Sequence, residues 1–274
     1  MNRIDGKIAV VTGGTQGLGA AIARQLAAAG AGGIVTCGRS TAKGQAVAEA
    51  ITADSGCKVV FQPADLGSVA DCRAVIDRAD AEFGRVDILV NAAGITDRGD
   101  ILSTDEALFD LMFAVNTRGP FFLMQGAIRL MLRDGTPGAI VNIGSTSALA
   151  GQPFIAAYCA SKGALATLTR NTAFAVMRNR IRVNQLNIGW MASEGEDRIQ
   201  REYHGADADW LDKAAAEQPF GRLVAPEEVA RTVTYLASED AGMMTGSVIN
   251  FDQSVWGAYS FGPPTPVAAM SLDG

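Results

Sequence analysis

Seven short, β-branched-rich apolar runs, separated by longer segments of helical period, constrain this chain more than any other feature. The runs are KIAVVT (Lys7–Thr12), GIVTC (Gly33–Cys37), KVVFQ (Lys58–Gln62), VDILVN (Val86–Asn91), AIVNI (Ala139–Ile143), IRVNQL (Ile181–Leu186) and SVINFD (Ser247–Asp252). Between them, segments such as GLGAAIARQLAAAG and SVADCRAVIDRADAEFG repeat apolar residues three and four apart, the helical spacing. Strands that are nearly continuous in apolar residues are buried on both faces, and parallel strands need crossovers long enough to hold a helix. The pattern therefore predicts an α/β fold, a doubly wound seven-stranded parallel sheet with helices on both faces. With no linker or compositional break in the series, residues 1–261 read as one domain, with a lid over residues 190–221. The Pro-rich segment 262–274, GPPTPVAAMSLDG, lacks periodicity and reads as a loose tail or an arm packed on a neighbouring subunit.

Charge and composition narrow the classes of partner. The 274 residues include 23 Lys and Arg against 29 Asp and Glu, a formal net charge of −6 with no dense basic patch, which argues against a nucleic-acid surface. No apolar run approaches the roughly 20 residues that span a bilayer, and the opening MNRIDGKIAVVTGG lacks a signal-peptide core. Cys37, Cys57, Cys72 and Cys159 have no CxxC spacing, and His204 is the one histidine, so the expectation is free thiols in a cytoplasmic protein and no metal site. A small-molecule substrate remains.

The turn after the first run is the strongest local signal. VVTGGTQGLGAAIA carries Gly13, Gly14, Gly17 and Gly19 between a strand and its helix, with Thr15, Gln16 and Leu18 among them. Glycines there permit a tight turn and bring backbone N–H groups to a pyrophosphate at the positive end of a helix. Placed at the head of an α/β series, the motif predicts dinucleotide binding and a Rossmann-type domain. An acid at the end of the second strand would bind both ribose hydroxyls of NAD(H). Here the residues are CGRS: Gly38 stands in that place, followed by Arg39 and Ser40. A guanidinium suits a 2′-phosphate, so NADP(H) is favoured, although Arg39 stacked on adenine would also suit NAD(H).

The stretch AAYCASKGAL sets Tyr158 and Lys162 four residues apart, neighbours on one helical face. Together with the glycine turn, ADL at Ala64–Leu66, NAAG at Asn91–Gly94, Asn116 in AVNTRG and Ser145 in VNIGS, the pair gives six motifs in the order found in a known family. From Lys7 to Ser254 the chain resembles the short-chain dehydrogenase/reductases in their simple form. The resemblance implies an NAD(P)-dependent interconversion of a secondary alcohol and a carbonyl, with Asn116, Ser145, Tyr158 and Lys162 as the catalytic tetrad. It further implies that Asp65 contacts adenine, that Leu66 offers a backbone group, that Asn91 lies beside the adenine ribose, and that Gly94 leaves room near the nicotinamide. A homotetramer or dimer formed through the helices around Asn116–Arg133 and Tyr158–Met177 is implied as well.

These residue types suit the chemistry. Free tyrosine, with a pKa of about 10, is a poor base near neutrality; an adjacent ammonium and the positive oxidised nicotinamide both favour the phenolate. Lys162 would thus make Tyr158 an acid or base and bridge the ribose hydroxyls. Ser145 would hold the substrate oxygen, and Asn116 would interrupt its helix to anchor a proton-relaying water.

Where the family has Pro-Gly followed by a threonine, this chain reads NIGWMASEGED: Ile188 replaces the proline, Gly189 is kept, and Ser193 stands for the threonine. Ser193 keeps a hydroxyl for the carboxamide and Met191 a backbone contact, while the shape of the loop is left open. Substrate choice is expected in Gly189–Gly221, where Glu194, Arg198, Arg201 and His204 offer polar contacts and Trp190 an apolar wall. That favours a sugar, polyol or small keto compound. The alternatives are 3-oxoacyl thioester reduction and a non-catalytic dinucleotide-binding subunit.

Overall fold

A computed structural model of the chain describes residues 3–149 and 151–258. The proposed tail at 262–274 lies outside the described residues. Seven parallel strands form one sheet: β1 (Ile8–Thr12), β2 (Gly33–Gly38), β3 (Val59–Pro63), β4 (Ile88–Asn91), β5 (Gly138–Ser145), β6 (Ile181–Ile188) and β7 (Val248–Phe251), in the order β3-β2-β1-β4-β5-β6-β7. Every strand lies where the apolar runs predict it, with ends moved by two residues or fewer. β1, β4 and most of β2, β5 and β6 are buried along their length, as strands covered on both faces must be.

The helices divide between the two faces. α1 (Gly17–Ala28), α2 (Thr41–Ser55) and a late helix, α9 (Pro226–Ala237), pack with Ile22, Leu26, Ile51, Val229 and Val233 around Val11, Ile34 and Val141. On the opposite face α3 (Val69–Phe83), α5 (Gly119–Arg133) and α6 (Ala156–Val176) bury Val75, Ile76, Leu123, Met131 and Val176 against Val10, Val35 and Ile140. A short α4 (Glu106–Phe113), capped by Asp105, runs into a π-helical turn at Ala114–Arg118 before α5. Two further helices, α7 (Glu194–His204) and α8 (Trp210–Glu217), form the lid segment and gather Trp210, Ala214 and Leu223 into a small cluster of their own.

Sheet order reverses direction between β1 and β4, which leaves a crevice beyond their carboxyl ends, the place where such sheets bind ligands. Thr12 ties the two strands together there: its hydroxyl accepts the backbone N–H groups of Ala92 and Ala93, each at 3.0 Å. Cys37, Cys57 and Cys72 are buried and all four cysteines are free. Burial pushes the Cys37 thiol up to about 12 and the Cys72 thiol to about 11, so neither forms a nucleophilic thiolate near neutrality.

Candidate active site

A cleft of about 1140 Å³ runs across the carboxyl ends of the strands, lined by the glycine turn at one end and by the lid at the other. At the first end, Gly13 and Gly17 adopt positive φ values of 74° and 53°, conformations open mainly to glycine. The remaining glycines of the turn serve close approach: a Cβ on Gly19 would lie 2.3 Å from the Gly13 carbonyl oxygen, and one on Gly14 would lie 2.6 Å from Thr36. Gln16, the N-cap of α1, makes no side-chain capping bond, and the first turn holds no acid. The leading N–H groups of that helix therefore have no side-chain acceptor and stand at its positive end.

Gly13, Thr15, Gln16, Gly17, Leu18, Gly19, Arg39, Asp65, Leu66 and Gly94 all line the cleft. The absence of an acid at position 38 has a packing cause as well as an electrostatic one, since a Cβ there would meet the Thr15 methyl at 2.6 Å. Arg39 is exposed at the mouth of this end, and Lys43, which the sequence reading passed over, reaches Gln16 Oε1 at 3.5 Å from α2.

Two of the residues expected to contact the cofactor are not on the cleft lining. Ser40 is the exposed N-cap of α2 and does not line the cleft. Asn91 is buried and also off the cleft; its amide donates to Asn142 Oδ1 at 2.8 Å. The register explains the second departure. Asn91 on β4 is paired with Asn142 on β5, so the two side chains emerge on the same face.

Three of the four tetrad residues meet at the middle of the cleft: Ser145 at the end of β5, and Tyr158 and Lys162 on the first turns of α6. Lys162 is 4% exposed and donates from Nζ to the Ile143 carbonyl at 2.9 Å; burial lowers its pKa to about 8. Its Nζ lies 5.8 Å from the centre of the Tyr158 ring.

Burial raises the Tyr158 pKa, Ser145 beside it draws it down, Cys159 and Glu196 push it up, and Arg98 pulls it down. Desolvation is thus the largest influence on the phenol, ahead of the charges around it.

Asn116 stands behind this centre, fully buried and off the cleft lining. Within the π-helical turn its amide is held at three points: it donates to the Ile95 carbonyl at 2.9 Å and to Ser161 Oγ at 3.1 Å, and accepts the Ile95 N–H at 3.0 Å. A Cβ on Gly94 would lie 3.3 Å from both Asn116 Oδ1 and Lys162 Nζ. Glycine at 94 thus keeps open the space in front of the lysine.

Ser145 belongs to a chain of hydroxyls that the sequence reading missed. Its Oγ accepts the Ser147 N–H at 3.1 Å and donates to Ser147 Oγ at 3.0 Å; Ser147 Oγ in turn donates to Gln152 Oε1. VNIGS-T-S does place a second hydroxyl two residues on, but only the tight turn after β5 brings it back to Ser145.

The departure from proline is resolved by the sheet. β6 runs on to Ile188, which is paired with Ser145 on one side and Phe251 on the other, and the Gly189 N–H donates to the Phe251 carbonyl at 3.0 Å. Gly189, Met191 and Ser193 line the cleft. Met191 forms a bridge to Val224, and Ser193 Oγ accepts the Glu196 N–H at 3.2 Å as the N-cap of α7. Of the lid residues, Trp190, Arg198 and His204 line the cleft, whereas Glu194 and Arg201 do not; Arg201 is paired with Asp197 at 2.9 Å.

The residues present fit a nicotinamide dinucleotide. The α1 terminus lacks a side-chain acceptor, Gly94 leaves a space that any side chain would fill, and one continuous cleft joins that terminus to Tyr158. Such a cleft, with a proton-carrying side chain at its middle, suits a nicotinamide-dependent oxidoreductase.

Comparison with known proteins gives the same class. A family model described as enoyl-(acyl carrier protein) reductase matches residues 13–254. An uncharacterized oxidoreductase of Methylorubrum extorquens is 36% identical over 91% of this chain and 98% of its own. Versicolorin reductase 1 of Dothistroma septosporum is 34% identical over 91% and 96%. The structure of L-sorbose reductase from Gluconobacter frateurii, complexed with NADPH and L-sorbose, superposes with a TM-score of 0.87 at 28% identity, covering 94% of this chain and 100% of that one. Gluconate 5-dehydrogenase from Burkholderia cenocepacia, in complex with NADP and tartrate, gives a TM-score of 0.82 at 32% identity over 92% and 96%. The chain belongs to the short-chain dehydrogenase/reductase family, and it is an NAD(P)-dependent oxidoreductase.

Proposed function

We propose that this protein interconverts a secondary alcohol and a carbonyl on a small polar substrate such as a sugar or polyol, with NADP(H) favoured over NAD(H). The observation that carries the proposal is the placement of Tyr158, Ser145 and Lys162 together in the cleft that begins at the glycine turn. A bound nicotinamide supplies or accepts a hydride at the substrate carbon. Everything else falls to the chain. Tyr158 donates a proton to the substrate oxygen in reduction and takes it back in oxidation. Ser145, whose Oγ accepts the Ser147 N–H, turns its hydroxyl hydrogen from Ser147 to that oxygen and holds it against the phenol. Lys162, pinned by the Ile143 carbonyl, keeps a positive charge beside the phenolate and orients the ribose. Asn116 fixes the Ile95 backbone and so the wall in front of Lys162.

Arg39 on the cleft lining and Lys43, which reaches Gln16 of the glycine turn, support the preference for NADP(H), since both cations suit a 2′-phosphate. The two solved relatives described above hold NADPH or NADP, and both act on polyhydroxylated compounds. The second reading, 3-oxoacyl thioester reduction, draws on the description of the matching family model. Against it stands a lid helix of mixed charge, with Glu194, Glu196 and Asp197 in its first turn, a poor surface for an acidic carrier or a CoA phosphate.

The free, buried cysteines suit a reducing cytoplasm. Among the described residues no helix is long and apolar enough to cross a membrane. Exposed Phe109, Phe121 and Phe174 on α4, α5 and α6 support assembly into a dimer or tetramer through those helices.

Reduction of NADP+ and NAD+ followed over a panel of polyols, sugars and hydroxy acids tests the function. The expected result is turnover of a hydroxylated substrate with NADP+ preferred. In Arg39→Ala the dissociation constant for NADP+ should rise roughly 10-fold or more while that for NAD+ changes little. Turnover confined to long acyl thioesters, or a preference for NAD+, would contradict it.

A further inference from the structure

We propose that Arg98 is the specificity-determining residue of this site and that it selects substrates bearing a carboxylate close to the reacting carbinol. This rests on the polar-substrate reading above and narrows it. Arg98 lies four residues beyond Gly94 on the loop between β4 and α4, and it lines the substrate end of the cleft.

Its guanidinium is held in place but not neutralised. Nη1 donates to the Thr96 carbonyl at 3.1 Å and to Thr96 Oγ1 at 3.4 Å, and Nη2 donates to His204 Nε2 at 3.0 Å. The rings of Phe154 and Tyr203 flank it, with centres 5.4 and 5.8 Å away. These contacts fix the plane of the fork before any ligand arrives, as a recognition site requires.

Among the described residues, no carboxylate lies within ion-pairing distance of Arg98, and its Nε is a buried donor without an acceptor. The acids around it are engaged elsewhere. Asp97 accepts from the Tyr203 hydroxyl at 3.3 Å, Glu196 accepts from Trp190 Nε1 and Gln200 Nε2, each at 2.8 Å, and Glu202 pairs with Arg198 at 3.9 Å. A planar cation held on the cleft lining without a counter-ion, with Nη2 hydrogen-bonding capacity beyond its contact to His204, can receive a planar anion.

Arg98 also lies near the chemistry: its neighbour Gly99 bridges to Ile155, the N-cap of the helix that carries Tyr158, and Arg98 and Tyr158 line the same cleft. An anionic group on Arg98 would therefore sit near the carbon whose oxygen faces Tyr158. Asp97, Glu196 and Glu202 in the same lining favour a monoanion over a phosphate dianion, since like charges repel the second negative charge. A carboxylate meets both conditions.

Matched substrate pairs test the proposal. NADP+-loaded wild type, Arg98→Gln and Arg98→Lys are assayed with D-gluconate against D-glucitol and with L-threonate against L-threitol. Binding of the same four compounds to each holoenzyme is followed by tryptophan fluorescence. The wild type should prefer the acid of a pair, and Arg98→Gln should lower kcat/KM and affinity for that acid by roughly 10- to 100-fold, mainly through KM, while the neutral partner changes little. Arg98→Lys should recover part of the loss. Equal use of acid and polyol by the wild type, or an equal loss for both in Arg98→Gln, overturns the role of Arg98 and leaves the polar-substrate reading standing. Binding of an acid that depends on Arg98 but is followed by no turnover of any compound supports the role and overturns that reading. No binding of either acid overturns the role.

Discussion

Burial raises the Tyr158 pKa above that of tyrosine in water, against the pull of Ser145 and Arg98. A protonated phenol suits carbonyl reduction, and oxidation requires the phenolate that Lys162 and an oxidised nicotinamide favour. Alcohol oxidation should accordingly rise with pH and carbonyl reduction should fall once the phenol ionises, and initial rates in both directions will show whether the limbs have these signs. Lys162 gives a second test at the same scale. Its pKa is near 8 when folded and 10.5 as the reference value, so below pH 8 the buried ammonium costs about 3 kcal/mol of stability. Between those values the unfolded chain binds the extra proton, and the penalty is relieved as pH rises. Lys162→Met should thus be more stable than wild type by about 1–3 kcal/mol at pH 7, an advantage that shrinks by pH 9.5. Denaturant unfolding at the two pH values measures it, and an advantage constant with pH would contradict the buried charge.

At the scale of elements, two short pieces of backbone place the chemistry: the glycine turn and the π-helical turn. Gly19→Ala should abolish tight dinucleotide binding, because the new Cβ would meet the Gly13 carbonyl at 2.3 Å; a titration with NADPH detects the loss. Asn116→Ala strands the Ile95 N–H and carbonyl that the amide now satisfies. It should cost about 2 kcal/mol, read as a lower melting temperature, and an unchanged Tm would place those groups in other hands. The glycine turn was legible in the sequence because its constraint is local: only glycine takes those dihedrals and close contacts. The π-helical turn was legible only in part. AVNTRG marks an interruption of the helix, but the partners of Asn116 come from Ile95 and Ser161, far away in the chain. Asn91 shows the same limit in reverse. Its motif is local, yet its direction is set by the β4–β5 register, which pairs it with Asn142 and turns it from the cleft.

For the whole molecule, the apolar runs and their spacing were enough to predict seven parallel strands in one sheet, because burial on both faces leaves few other solutions. The substrate end was less legible. Arg98, Phe154, Tyr203 and His204 are drawn from three separate segments, and no spacing in the sequence announces that they meet. The outer surface carries its own expectation. Phe174 is 77% exposed on α6, and light scattering should give a mass that is a multiple of the 28.5 kDa chain; a monomer at micromolar concentration would contradict the interface. All of these expectations depend on one cleft in which the dinucleotide meets a proton-carrying phenol. The most direct measurement takes Tyr158→Phe and follows NADP+ binding and turnover in the same preparation. The cleft as described predicts unchanged binding with turnover lowered by about 10²–10⁴-fold. Turnover that survives the loss of the hydroxyl would contradict it.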